Sequence, residues 1–122
     1  MRMRIGFILL LGLTAAGCGK TKSTDELIAD LKSPEERDRI MAVRTLQGDP
    51  ARVVPALMEA LKDKQSDVRL SAAIKLGSFG EQAKDAVPAL LKAQKDGDAR
   101  VRQAAATALS RIDPSAAPAK QP

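Results

Sequence analysis

Val53-Val54-Pro55-Ala56-Leu57-Met58-Glu59-Ala60-Leu61-Lys62-Asp63 returns 33 positions later as Ala86-Val87-Pro88-Ala89-Leu90-Leu91-Lys92-Ala93-Gln94-Lys95-Asp96. The segment that follows repeats at the same offset. Asp67-Val68-Arg69, with Ala72, Ala73 and Leu76, reappears as Arg100-Val101-Arg102, with Ala105, Ala106 and Leu109. A worn third copy lies 30 positions upstream of the first. There Leu27 and Leu31 match Leu57 and Leu61, while Arg39, Ala42 and Leu46 match Arg69, Ala72 and Leu76. The difference in offset falls in a connector, because Gln47 to Pro55 is shorter than Gly77 to Pro88. Loops absorb such changes cheaply. Self-similarity at this period is the signature of stacked units, none of which can bury its apolar face alone.

Each unit reads as two helices. Val101, Ala105, Ala108, Leu109 and Ile112 fall at i, i+4, i+7, i+8 and i+11, an apolar stripe of helical period. Leu57 and Leu61 do the same in the helix before. Lys62 to Ser66 is a polar turn, and Ser66 or Asp67 is expected to cap the next helix. No stretch alternates at period two, so strands are not expected. The reading is an all-α solenoid of three two-helix repeats, with helices at 24–32, 34–47, 51–62, 66–77, 82–95 and 98–112. Pro55 and Pro88 are expected near helix starts, where a missing N–H costs little, or at a kink after a preceding turn.

Ala86-Val87-Pro88-Ala89-Leu90, Asp96, Val101-Arg102 and Ala105-Ala106, with the same set in the middle copy, resemble the bacterial HEAT-repeat family. The short type named after phycobilisome lyases is the most similar. The resemblance covers Leu27 to Ile112. It implies that an Asp in each intra-repeat turn bonds an Arg six residues later, forming a structural ladder of Asp63 with Arg69 and Asp96 with Arg102. The first repeat offers Ser33 to Arg39 instead. Anion binding is the competing reading of these arginines. The ladder is preferred because a turn carboxylate lies within reach of each guanidinium in the two good repeats.

The first seventeen residues read as an address. Arg2 and Arg4 precede an uncharged run from Ile5 to Gly17, too short for a bilayer-spanning helix and of the right size for a secretory leader. Ala15-Ala16-Gly17 then lead into Cys18, resembling the lipobox of bacterial lipoproteins, in which the Cys is lipidated and becomes the first mature residue. Ordinary cleavage after Gly17 is the alternative. Cys18 is the only cysteine of the chain, and an unpaired thiol in an oxidising compartment would be a liability. The expected division is a leader at 1–17, a lipidated linker at 18–23, the repeat domain at 24–113 and a disordered tail at 114–122. Gly19 rather than Asp after the Cys leans, by resemblance, towards the outer membrane and a periplasm-facing body.

Composition removes most chemistry. The 122 residues contain no His, Trp or Tyr and a single Cys, so a His-based triad, a CxxC pair and an internal disulfide are excluded. The net charge of +5 resides in the flanks. Without Arg2, Arg4, Lys20, Lys22 and Lys120, the body carries 15 basic residues against 15 acidic ones. No basic face with interleaved aromatics remains for nucleic acid. Gly77-Ser78-Phe79-Gly80 lacks the Lys-Ser/Thr of a phosphate loop. No catalytic residue, cofactor or metal is expected, and the chain reads as a non-enzyme.

The expected partner is a protein or peptide, with the membrane reached through the lipid alone and the stack itself monomeric. Two other readings stay open, an accessory protein related to chromophore lyases and a purely structural envelope lipoprotein. Equivalent positions suggest closed ends. Asp30 and Asp38 become Ala60 and Val68 in the next repeat, while Leu61 and Leu70 become Gln94 and Gln103 in the last. On the second helices Leu70 and Ile74 are expected to face a neighbouring repeat. The open stripe is then centred on Ser71, with Met41 and Ala104 equivalent to it, Thr45, Lys75 and Ala108 alongside, and Ser78 and Arg111 at the helix ends. A merely solvated face is the competing reading.

Overall fold

A serine starts the first helix. In the computed structural model, which describes residues 21–116, the Ser23 hydroxyl accepts from the Glu26 N–H at 3.2 Å, and Glu26 Oε2 accepts from the Ser23 N–H at 2.7 Å. This reciprocal cap satisfies donors that every helix start leaves open, and α1 runs over Thr24–Asp30. Lys22 Nζ reaches Asp30 at 2.6 Å, so the last linker residues are tied to the first helix. After α2, Glu36–Thr45, Asp49 accepts from the Ala51 N–H and Pro50 takes the first position of α3, Pro50–Ala60. There follow α4, Ser66–Ser78, a 3₁₀ helix, Gly80–Ala86, α5, Val87–Ala93, and α6, Ala99–Ile112. The described residues contain no strand. The chain is an all-α solenoid of three helix pairs, α1–α2, α3–α4 and α5–α6. The expectations for the leader, for Cys18 and for 117–122 lie outside the described residues.

Three local details differ from the sequence reading. The helix expected at 82–95 is divided: a 3₁₀ segment, kinked at Ala83 with φ −99° and ψ 22°, precedes α5. Pro88 has no N–H to return to the Lys84 carbonyl, and the Val87 N–H takes that carbonyl instead. Pro55, by contrast, sits inside α3. Val53, Val54 and Leu57 are buried around it and hold the helix together, while Pro55 itself faces solvent. Neither Ser66 nor Asp67 caps α4. Gln65 occupies the cap position with no side-chain bond, and Asp63 Oδ1 accepts its N–H at 2.9 Å.

The first helices of the pairs, with the 3₁₀ segment, form one layer, and α2, α4 and α6 form the other. Between them Leu46, Leu57, Leu76, Leu90, Leu109 and Ile112 are fully buried. Burial of such an aliphatic side chain contributes about 1.5–3 kcal/mol, so the six form the main cohesive element of a domain with one aromatic residue in its described part. Small residues set the spacing. Ala72, Ala73, Ala105 and Ala108 are buried, and α4 packs against α6 more extensively than any other pair. A Cβ at Gly77 would stand 3.1 Å from the Ala108 Cα.

Gly77→Val is therefore expected to force α4 from α6 and lower stability by about 1–3 kcal/mol, the usual cost of overpacking. Gly97, around which a Cβ meets nothing within 4 Å, is the comparison: Gly97→Ala is expected to be neutral or to stabilise by about 0.4–1 kcal/mol. Urea midpoints measured side by side test both.

Candidate functional site

The turn carboxylates and the arginines do meet, but not in the pairs expected. Arg39 gives Nε and Nη2 to Asp63 of the next repeat, at 2.8 and 3.1 Å, and Nη1 to the carbonyls of Ser33 and Pro34. Arg69 does the same one repeat on. Nε and Nη2 hold Asp96 at 2.8 and 2.9 Å, and Nη1 holds the carbonyls of Asp63 and Lys64. The rungs therefore run Arg39–Asp63 and Arg69–Asp96 between repeats, correcting the pairs Asp63–Arg69 and Asp96–Arg102. The reason is geometric. Six residues after its turn, the arginine lies against that turn's backbone, which takes one edge of the guanidinium and leaves the planar fork pointing onwards. Arg102 repeats the backbone half of the pattern, with Nη1 donating to the carbonyls of Asp96 and Gly97 at 2.7 and 3.2 Å. Ser33 in the first repeat breaks no rung, since no described repeat lies before it to present an arginine. Its hydroxyl donates to Asp38 and accepts from the Glu35 N–H.

The charge states follow from these contacts. Burial opposes ionisation of Asp63, but the bonds from Arg39 and the Gln65 N–H outweigh it and hold its carboxyl below the ordinary value. The Arg69 bond does the same for Asp96 against burial, helped by the Asp98 N–H. Two of the three arginine forks are occupied from within the chain. A more exposed link joins the starts of α4 and α6, where Arg100 Nη2 lies 2.8 Å from both Asp67 and Asp98.

The expected open stripe is rotated. Ser71, placed at its centre, is buried at 8% exposure, and Ala104 is half-buried. Met41, in the equivalent position, is 52% exposed because no described repeat covers α2 on that side. These three positions face the preceding repeat. Ile74, expected to face a neighbour, is 57% exposed. Three residues along a helix is about 60° of rotation, and apolar or small side chains on both flanks of α4 left that angle open. Ala108, expected alongside them, is buried against Gly77, and the remaining stripe residues lie at or near the surface. Thr45, Ser78 and Arg111 are exposed, and Lys75 is half-buried with Nζ donating to the Arg44 carbonyl at 3.0 Å. The Thr45 and Ser78 hydroxyls donate to the backbone carbonyls of Met41 and Lys75.

Two hollows open among the described residues. One of about 390 Å³ lies between α4 and α6, over Leu70, Ile74, Gly77, Ala104, Thr107 and Arg111. The other, about 700 Å³, lies at the N-terminal end of the stack over Leu27, Met41 and Ala42, with Asp30 and Asp38 at its rim. The C-terminal halves of α2, α4 and α6 carry Arg44, Lys75 and Arg111, and residues 40–48, 70–78 and 103–112 include no carboxylate. A basic rim around an apolar patch is suited to an acidic segment with an apolar anchor. Sequence reasoning missed Ile74 and Arg44 as surface residues of this face. The absence of acidic residues along three equivalent segments was the available signal. Among the described residues no cluster of Cys, Asp or Glu could hold a metal ion, and no helix is long and apolar enough to cross a membrane.

A family model described as HEAT repeats matches residues 24–110. No curated protein matches the sequence.

Arg69→Ala and Asp96→Ala are each expected to cost about 1.5–3 kcal/mol, the scale of a charge-assisted hydrogen bond. The double variant should lose clearly less than their sum, and the coupling of Arg69 to Asp96 should exceed its coupling to Asp63. Because Asp63 and Asp96 titrate below their unfolded value, the stability they confer is complete above roughly pH 4–5 and is lost as pH falls through the depressed folded values. Asp96→Asn should flatten that acid limb in urea titrations between pH 2 and 6.

Proposed function

Because this chain belongs to the HEAT-repeat family, we propose that it is a non-catalytic scaffold that grips a protein or peptide along its second helices, tethered to the cell envelope through a lipid on Cys18. HEAT repeats commonly serve as protein-interaction scaffolds. The observation that carries the reading for this chain is Ile74, 57% exposed in the α4–α6 groove, whose charged lining residues are Arg100 and Arg111, on second helices that also carry Arg44 and Lys75. A large aliphatic side chain ringed by cations and small residues is a suitable central contact for a partner with an apolar residue flanked by acids. The tether rests on the sequence: a short apolar run, then Ala15-Ala16-Gly17, then the sole cysteine. Several acyl chains together make a stable anchor where one does not. Residues 18–23 then hold the repeats close to the membrane, on the periplasmic side and with the outer membrane favoured.

Recovery of a partner from detergent-solubilised membranes tests the face. Ile74→Glu and Thr107→Glu are expected to cut recovery about tenfold or more, as loss of a central contact does. Glu59→Lys, on the exposed side of α3, should leave it unchanged. Ser71→Glu is a stability variant instead, because it places a carboxylate at a buried position. Equal recovery from all folded variants would rule out the face. Cys18→Ser should leave the folded body intact and either release it from membranes or stall it as unprocessed precursor. A processed Cys18→Ser protein that stays on membranes would rule out the tether.

A further inference from the structure

Three arginines occupy equivalent places, and two of them hold a carboxylate. Arg39 and Arg69 are each fixed by two carbonyls of their own turn and present Nε and Nη2 to an Asp of the next repeat. Arg102 is fixed in the same way, by the carbonyls of Asp96 and Gly97, yet among the described residues it meets no carboxylate. Its fork is thus pre-positioned at the C-terminal end of the stack, with the ordering already done by the backbone bonds. A second feature accompanies it. Leu91 is 41% exposed, whereas its counterparts Ile28 and Met58 pack against the core. Ala106 is half-buried where Val43 and Ala73 are fully covered. Part of the apolar seat on which a following repeat would rest, Leu91 and Ala106, is thus present in the same repeat as the fork, together with the polar Gln94 and Gln103.

We infer that this end of the stack is a docking site for a helical hairpin of a different protein, whose turn supplies an Asp or Glu to Arg102. This deepens the scaffold reading and rests on it only in requiring a protein partner. The chemistry of the ligand comes from the two filled copies. In each, the carboxylate is borne by a turn between two helices and also accepts the backbone N–H two residues on, at 2.9 Å. A planar, bidentate fork favours that arrangement over a single-point contact. A second copy of this chain does not reproduce that register, since the carboxylate of its first turn, Glu35, stands where the filled copies have Gln65 and Asp98. Its first turn carries Ser33 at the corresponding place, and that hydroxyl is engaged with Asp38.

The test uses the full chain in cells that produce it naturally, with a benzophenone side chain placed at position 94 or, separately, at position 74. Gln94 is equivalent to Leu31 and Leu61 on the side facing the next repeat, whereas position 74 reports the second-helix face. Position 94 is expected to crosslink to a protein segment that contains an Asp or Glu between two helices. The yield should fall about tenfold in Arg102→Ala and in the partner's carboxylate-to-amide variant, and should hold in Lys95→Ala. No product at position 94, a product with this chain alone, or a yield indifferent to Arg102→Ala would overturn the inference. A product at 74 with none at 94 leaves the scaffold reading standing, and the reverse leaves only this one. In the isolated protein Arg102→Ala should shift the Tm by less than about 2 °C, against roughly 5 °C or more for Arg69→Ala. Equal losses would mean that the fork already holds a carboxylate of its own chain, and would also overturn the inference.

Discussion

An arginine fork that grips two things at once governs this molecule. One edge of each guanidinium satisfies carbonyls of its own intra-repeat turn, and the other edge takes the carboxylate of the next. The turn is thereby rigidified, and the rise from one repeat to the next is set by a bidentate contact with little angular freedom. The desolvation of each pair is offset by further bonds, since each aspartate also accepts a backbone N–H. The interface is therefore directional in a way that aliphatic contact alone is not. Aliphatic packing is non-directional, whereas each rung adds a bidentate contact at a fixed place between successive repeats.

The spacing of the second-helix layer is the other constraint, and it comes from side chains that are almost absent. With Gly77 against Ala108, α4 and α6 approach closely enough that the groove between them is shallow and floored by small residues. What stands up from such a floor is conspicuous: Ile74, Thr107 and Arg111. The division of labour follows. On the second helices the residues that face neighbouring repeats are mostly small or aliphatic, while Arg44, Lys75 and Arg111 form no ion pair among the described residues. A surface of that kind attracts acidic segments over a distance and holds them through a few apolar contacts.

The two ends of the stack differ. At the N-terminal end Asp30 and Asp38 rim a hollow over Met41, and Lys22 and Ser23 fold back onto α1 through bonds to Asp30 and Glu26. At the C-terminal end an arginine fork and a half-exposed leucine stand beside Gln94 and Gln103. Polar replacements at equivalent positions made the first and last described repeats distinguishable from the middle one in the sequence. The posture of Arg102 was not legible, because it depends on carbonyls brought to it by the turn.

Repetition, helical period and composition were enough, from the sequence alone, to read an all-α stack of three pairs and the apolar stripe of its last helix, and to exclude a His-based triad or an internal disulfide. These are properties of spacing along the chain, and spacing is what a sequence records. Only the tertiary structure decided which aspartate each arginine holds. Asp63 lies six residues from Arg69 but its carboxylate turns to Arg39, since a turn directs its side chain away from the backbone that the following arginine already occupies. It also decided that Ser71 is covered and Ile74 open. On α4 small or apolar residues flank both directions, so the hydrophobic pattern is satisfied by two rotations about 60° apart. The choice between them was made by the neighbouring helices, through the close contact of Gly77 with Ala108.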